Sequence, residues 1–141
     1  MKNLKNYLKL SVLMMALVLV STSCSDDDEE TPVFRADFIG TFSTNEVCRS
    51  GTTDSYDMVI RPDESTGAGP NDILITNLYN KNQLLEGQVI DANTMLIPHQ
   101  TRGTITYLAN GTRNGNVITL DFTVAAGGIS DLCQATMTKQ P

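Results

Sequence analysis

The sequence predicts an all-β domain: an antiparallel meander of about eight strands, closed or nearly closed as an up-and-down β-barrel. Three observations carry this reading. Short runs of period-two alternation recur from about Phe38 to the C-terminus. Turn signals containing Gly and Asn separate them at hairpin spacing. Cys48 and Cys133 lie in the first and last runs, which a closed sheet brings together and an open meander holds apart. Regular short strands with tight turns also fit a sandwich; the cysteine placement favours the barrel.

Alternation and turn signals give strands at 37–48, 55–62, 72–79, 83–91, 94–100, 103–112, 116–125 and 131–139. Ile118, Leu120, Phe122 and Val124 alternate with Thr119, Asp121 and Thr123, the pattern of a half-buried strand. Tyr56, Met58 and Ile60 do the same, as do Cys133, Ala135 and Met137. Asn114-Gly115 is the strongest turn signal, read as the central pair of a type I′ hairpin. Asn110-Gly111 lies only four residues earlier, so one of the two pairs is expected to mark a bulge. The nearest candidate for a helix is Asn82–Ile90, and Gly87, Val89 and Ile90 argue against it.

The N-terminus has a separate logic. Lys2, Lys5 and Lys9 precede an apolar run from Leu10 to Val20, followed by Ser21, Thr22, Ser23 and Cys24. This is the basic, apolar and small-residue order of an export signal. The run falls short of the roughly 20 apolar residues of a spanning helix. Residues 1–23 therefore read as a signal peptide, 24–36 as a lipidated cysteine and acidic tether, and 37–141 as the β-domain. The signal removes three of the ten basic residues and none of the sixteen acidic ones, leaving seven against sixteen, a net −9. Asp26, Asp27, Asp28, Glu29 and Glu30 form one acidic block, which like-charge repulsion keeps solvated and extended. Without that block the domain carries seven basic and eleven acidic residues, a net −4. That balance argues against nucleic acid and against electrostatic attraction to anionic lipid. In an exported chain, Cys48 and Cys133 are expected to form a disulfide, with two buried free thiols as the alternative.

Ser21-Thr22-Ser23-Cys24 followed by Ser25 and the run Asp26–Glu30 resembles the start of Bacteroidetes outer-membrane lipoproteins. The chain departs from that family at Ser21, where Leu is usual. The resemblance implies acylation of Cys24 and a surface-export role for Asp26, Asp27, Asp28, Glu29 and Glu30. It thus implies an outer-membrane protein held by its lipid at the cell surface. Phe38-Ile39-Gly40-Thr41-Phe42, Val47-Cys48, Ile73–Leu78, Ile97-Pro98-His99-Gln100 and Asp131-Leu132-Cys133 resemble small lipocalin-like β-domains of such lipoproteins. That likeness spans about residues 38–139 and brings no catalytic residue with it.

Chemistry is sparse. His99 is the only histidine and follows Pro98, which suits a surface position better than a catalytic base. Asp54 with Asp57 and Asp63 with Glu64 are carboxylate pairs in turn-rich stretches, where solvated acids are the expectation. Asp63, Glu64, Asn71 and Asp72 offer oxygen ligands without EF-hand spacing. Tyr56, Tyr79 and Tyr107 read as packing or ordinary surface tyrosines. No catalytic residue, cofactor site or metal site is expected. The leading reading is a non-enzymatic ligand-binding or interaction module, for a small hydrophobic ligand, a glycan or a protein. An accessory subunit of an outer-membrane complex is the alternative, and a small hydrolase the least supported. An open apolar interior favours a small ligand; a filled barrel with an exposed apolar patch favours the accessory role.

Overall fold

Period-two alternation sends every second side chain of a strand to one face, and in the computed structural model that face is the inside of a closed barrel. The structure describes residues 32–141. The expectations for the signal segment, Cys24 and the run Asp26–Glu30 lie outside the described residues. The strands are β1 (Gly40–Cys48), β2 (Thr53–Pro62), β3 (Asp72–Thr76), β4 (Leu84–Val89), β5 (Thr94–Arg102), β6 (Ile105–Asn114), β7 (Val117–Ala126) and β8 (Ile129–Lys139). Each pairs antiparallel with the next, and β8 returns to β1. Among the described residues, no helix is long and apolar enough to cross a membrane.

The interior is built from every strand. Phe42, Met58, Ile60, Ile75, Leu85, Ile97, Tyr107, Leu120 and Met137 are each at most 1% exposed. Space is tight enough to select glycine: a Cβ on Gly111 would stand 2.5 Å from Met95 Cγ. That explains Asn110-Gly111. It is not a bulge but a regular stretch of β6, paired without interruption to β7, where the methionine of β5 fills the missing side chain's place.

The expected bulge lies instead in β5, where the register to β6 shifts between Ile97 and Gln100. Pro98 has no N–H to give a ladder. Backbone pairing of β4 with β5 is confined to Gln88–Leu96 and Val89–Met95. The side-chain amide of Gln100 fills the gap: its Nε2 donates to the Glu86 carbonyl at 2.6 Å, and its Oε1 accepts the Glu86 N–H at 3.0 Å. Arg102 continues the seam, donating from Nε to the Leu84 carbonyl and pairing with Glu86 at 2.8 Å.

Other boundaries also move. The β6–β7 turn is centred on Gly115-Asn116, not Asn114-Gly115; Asn114 pairs with Val117, and Gly115 alone of the two has positive φ, +62°, as a type II′ turn requires. The third strand stops at Thr76, short of 79, because Asn77, Tyr79 and Asn80 have φ of +76°, +60° and +50°, which no strand accommodates. Before β1, Arg35–Asp37 form a 3-10 turn, and Phe34 already packs on the core. Ordered packing therefore begins ahead of residue 37.

Closure depends on the β1–β8 ladder, which runs from Phe42–Lys139 to Cys48–Cys133. Cys48 and Cys133 are bridged across that last pair, 85 residues apart in sequence. Chain-entropy arithmetic for a loop of that length gives about 4–5 kcal/mol as an upper bound. Cys48→Ser should lower stability by about 2–4 kcal/mol, read as a fall in Tm that added reductant does not deepen; an unchanged Tm would show that the bridge carries no stability.

Candidate functional site

The barrel has two unlike ends and one concave flank. At one end lie the N-terminal turn and the β2–β3, β4–β5 and β6–β7 connections. Phe38, fully buried, closes it. The Arg113 guanidinium lies over the Phe38 ring, 5.7 Å from its centroid, and pairs with Asp37 at 2.7 Å. Three of the four loop groups considered for cation binding, Asn71, Asp72 and Asp63, are engaged in local hydrogen bonds. Asn71 accepts the Phe34 N–H at 2.7 Å and donates to the Pro32 carbonyl at 2.7 Å. Asp72 accepts from the Gly69 N–H and the Gln88 amide. Asp63 accepts the Ser65 N–H at 2.9 Å, a bond that holds its carboxyl below its ordinary pKa. Glu64 is exposed. These groups tie a loop together and do not converge on a common point.

The other carboxylate pair is split by the strand. Asp57 is exposed, whereas Asp54 shares the inward face with Tyr56, Met58 and Ile60. His99 is exposed at the β5 bulge.

The second end, the mouth, is polar. Alternation along β1 turns Thr44, Glu46 and Cys48 inward, and Glu46 is only 3% exposed. The Tyr56 hydroxyl donates to Glu46 Oε2 and accepts the Tyr79 N–H at 2.9 Å. Burial pushes the Glu46 carboxyl above its ordinary pKa, with Asp54 and Asp131 adding in the same direction and the Tyr56 hydrogen bond opposing. Burial and the Glu46 contact push the Tyr56 phenol well above its ordinary value. Tyr107, also raised by burial, donates to Gln83 at 2.9 Å. Glu46 Oε and the sulfurs of Cys48 and Cys133 lie within 4.8 Å of one another. Bridged sulfurs supply no thiolate, so they do not make a soft-metal site. Residues 77–82 fold over this mouth: Leu78 is buried to 1% exposure, and Tyr79 meets Phe122 edge-on at 6.4 Å. Sequence reasoning did not single out Glu46. Its signal was an acid at the inward phase of Phe42-Ser43-Thr44-Asn45-Glu46-Val47-Cys48.

The concave flank is on the outer face of β1, β8, β7 and β6. A concavity of about 580 Å³ is lined by Val47, Leu108, Thr123 and Leu132 together with Arg49, Asn110, Asp121 and Gln134. Its order comes from register. Leu132 stands opposite Thr123 and Thr123 opposite Leu108, a row of two leucines flanking a threonine across three strands. Gln134, Asp121 and Asn110 form the adjoining row, with Val47 opposite Gln134, and a 2.7 Å hydrogen bond joins Gln134 to Asp121. Val47, Leu108 and Leu132 are 58%, 41% and 51% exposed, so aliphatic surface faces water here. A smaller concavity of about 250 Å³ follows the β4–β5 seam at Gly87, Leu96 and Pro98.

Neither a protein-family model nor a curated protein matches the chain. Solved structures do. A redesigned β-barrel, b11L5F_LGL, is 16% identical, covering 77% of this chain and 96% of its own, with a TM-score of 0.54. The structure of EF1p2_mFAP2b bound to DFHBI is 14% identical, covering 77% of this chain and 98% of its own, also with a TM-score of 0.54. At these identities the likeness is one of fold.

Asn71→Ala removes two hydrogen bonds to the N-terminal segment from a side chain 9% exposed. It should cost about 2–3 kcal/mol in stability and speed amide exchange at Phe34 and Phe38. Unchanged exchange there would mean that Phe38 packing, the Arg35 bonds to the Asp63 and Asp72 carbonyls and the Asp37–Arg113 pair hold the segment without Asn71.

Proposed function

We propose that the protein is a lipoprotein anchored through Cys24 at the cell surface, whose barrel is a non-enzymatic interaction module that receives a protein partner on its outer flank. The observation that carries the reading is the pairing of a side-chain-filled interior with the exposed aliphatic side chains of Val47, Leu108 and Leu132 in one outer concavity. All eight strands contribute fully buried residues to the interior, and both concavities described lie on the outside. Because β8 pairs with β1, the barrel has no free first or last strand to receive an added one. Side chains of the outer face must then supply the contact. The exposed aliphatic side chains of the groove ask for aliphatic or aromatic partners, and Asp121 for a donor. This is the accessory or interaction side of the functional expectation. A small-ligand role keeps one support, that the engineered barrel EF1p2_mFAP2b was solved bound to DFHBI.

Two measurements test the reading. A photo-crosslinking residue at Thr123, in intact cells, should capture one discrete envelope protein that the same residue at Ser43 does not. The Leu108→Asp/Leu132→Asp pair should weaken that capture at least tenfold, the scale of a central contact worth about 2 kcal/mol; identical patterns from Thr123 and Ser43 would sink the proposal. Metabolic labelling with a fatty-acid analogue should mark the protein and should fail in Cys24→Ala. Equal labelling of both would place the anchor elsewhere.

A further inference from the structure

The mouth contains a chain of contacts that the outer flank does not use. It runs from the backbone N–H of Tyr79, through the Tyr56 hydroxyl, to the buried carboxyl of Glu46. Tyr79 belongs to the covering segment 77–82, which is also held by the burial of Leu78 and by two side-chain bonds at the rim. Asn77 Nδ2 donates to the Asp57 carbonyl at 2.8 Å, and Asn80 Nδ2 donates to Asp54 at 2.8 Å, both at the exposed rim. Three non-glycine residues of the segment are held at positive φ. For a tyrosine that conformation is costly and persists only where its surroundings enforce it. The enforcing contacts are the burial of Leu78, the Tyr79–Phe122 packing and the Tyr56 hydroxyl.

We propose that residues 77–82 are a pH-sensitive lid over the barrel mouth, latched to Glu46 through Tyr56. The ionisable groups acting on Glu46 are Tyr56 and Asp54 of β2 and Asp131 of β8. Cys48 on its own strand and Cys133 opposite are bridged and do not titrate. Lys81, the lid's one cation, lies 6.0 Å from the Tyr79 ring centroid, and Glu46 makes no ion pair among the described residues. The neighbours of the carboxyl are therefore apolar, neutral or acidic. Its neutral form suits the closed mouth and its ionised form suits water. Because burial raises the closed-state pKa of Glu46 above that of a hydrated carboxyl, the lid is fully favoured below the ordinary carboxylate range. That advantage is lost as pH rises through the closed-state value. Opening bares Tyr107 and Phe122 at the mouth along with Glu46.

Amide-exchange protection of residues 77–82 in the full chain, corrected for the intrinsic chemical rate and followed from roughly pH 4 to pH 8, tests this. Protection should fall by about tenfold for each unit separating the closed and open pKa values of Glu46, while amides of β6 and β7 keep theirs. Glu46→Gln, still an acceptor for Tyr56, should hold the lid closed with a flat profile. Tyr56→Phe should leave it weakly protected throughout. A flat wild-type profile overturns the proposal, as does a Glu46→Gln profile that follows the wild type, or a loss shared equally by every strand. Where Glu46→Gln fails to fold, the carboxyl carbon signal of wild-type Glu46 must titrate together with the lid amides; separate midpoints overturn the latch.

Discussion

Everything in this molecule rests on the return of β8 to β1. Eight antiparallel strands in sequence order make a sheet with two free edges unless the last reaches the first. The ladder from Phe42–Lys139 to Cys48–Cys133 removes both edges, and the bridge at its end keeps them removed when the hydrogen bonds open. Closure turns one face of every strand inward, which is why alternating residues from eight separate segments become one core. It also determines where binding can happen, since a barrel without edges offers its ends and its outer wall alone.

Filling that interior has local consequences. Met95 takes the space a side chain on Gly111 would need, and Ile75 Cδ1 would stand 2.6 Å from a Cβ on Gly87. Large residues on one strand are thus matched by glycine on another, the alternation that packs a small barrel. The β4–β5 seam is the weakest part of the wall by backbone pairing, and Gln100 repairs it with a side-chain amide placed where a peptide group would lie. Since a glutamine amide has the same donor and acceptor as a peptide unit, the bulge forced by Pro98 leaves Glu86 with both its backbone groups satisfied.

Much of this was legible beforehand. The inward phase of β7, read from Ile118 to Val124, is the observed one, and the cysteine positions pointed to closure because only a barrel joins first and last strands. What escaped were features decided by tertiary contact. Asn110-Gly111 has the local chemistry of a turn, yet its glycine answers to Met95 across the sheet. Tyr79 continues the apolar pattern of β3 well enough to extend the strand, but the pull of Leu78 and Phe122 bends the chain into left-handed conformations. Glu46 was readable by phase alone; its partner Tyr56, ten residues away on β2, became apparent only with the register that places Asp54 opposite Glu46.

The groove and the mouth are the two faces of the same short segments. On β1, Glu46 and Cys48 point in while Val47, between them, points out; on β8, Cys133 points in and Leu132 out. A bridge between these segments stiffens both faces together. Of the connections at the mouth, residues 77–82 are the one bonded to the Tyr56 hydroxyl, so motion coupled to Glu46 falls to them, while the bridge holds the Val47 and Leu132 segments together. An apolar hydrocarbon at position 46 would pack the mouth without the cost of burying a carboxyl, so stability alone does not account for a glutamate there. A latch does, because it needs a group whose preference for burial changes with its protonation, placed beside a wall that does not move.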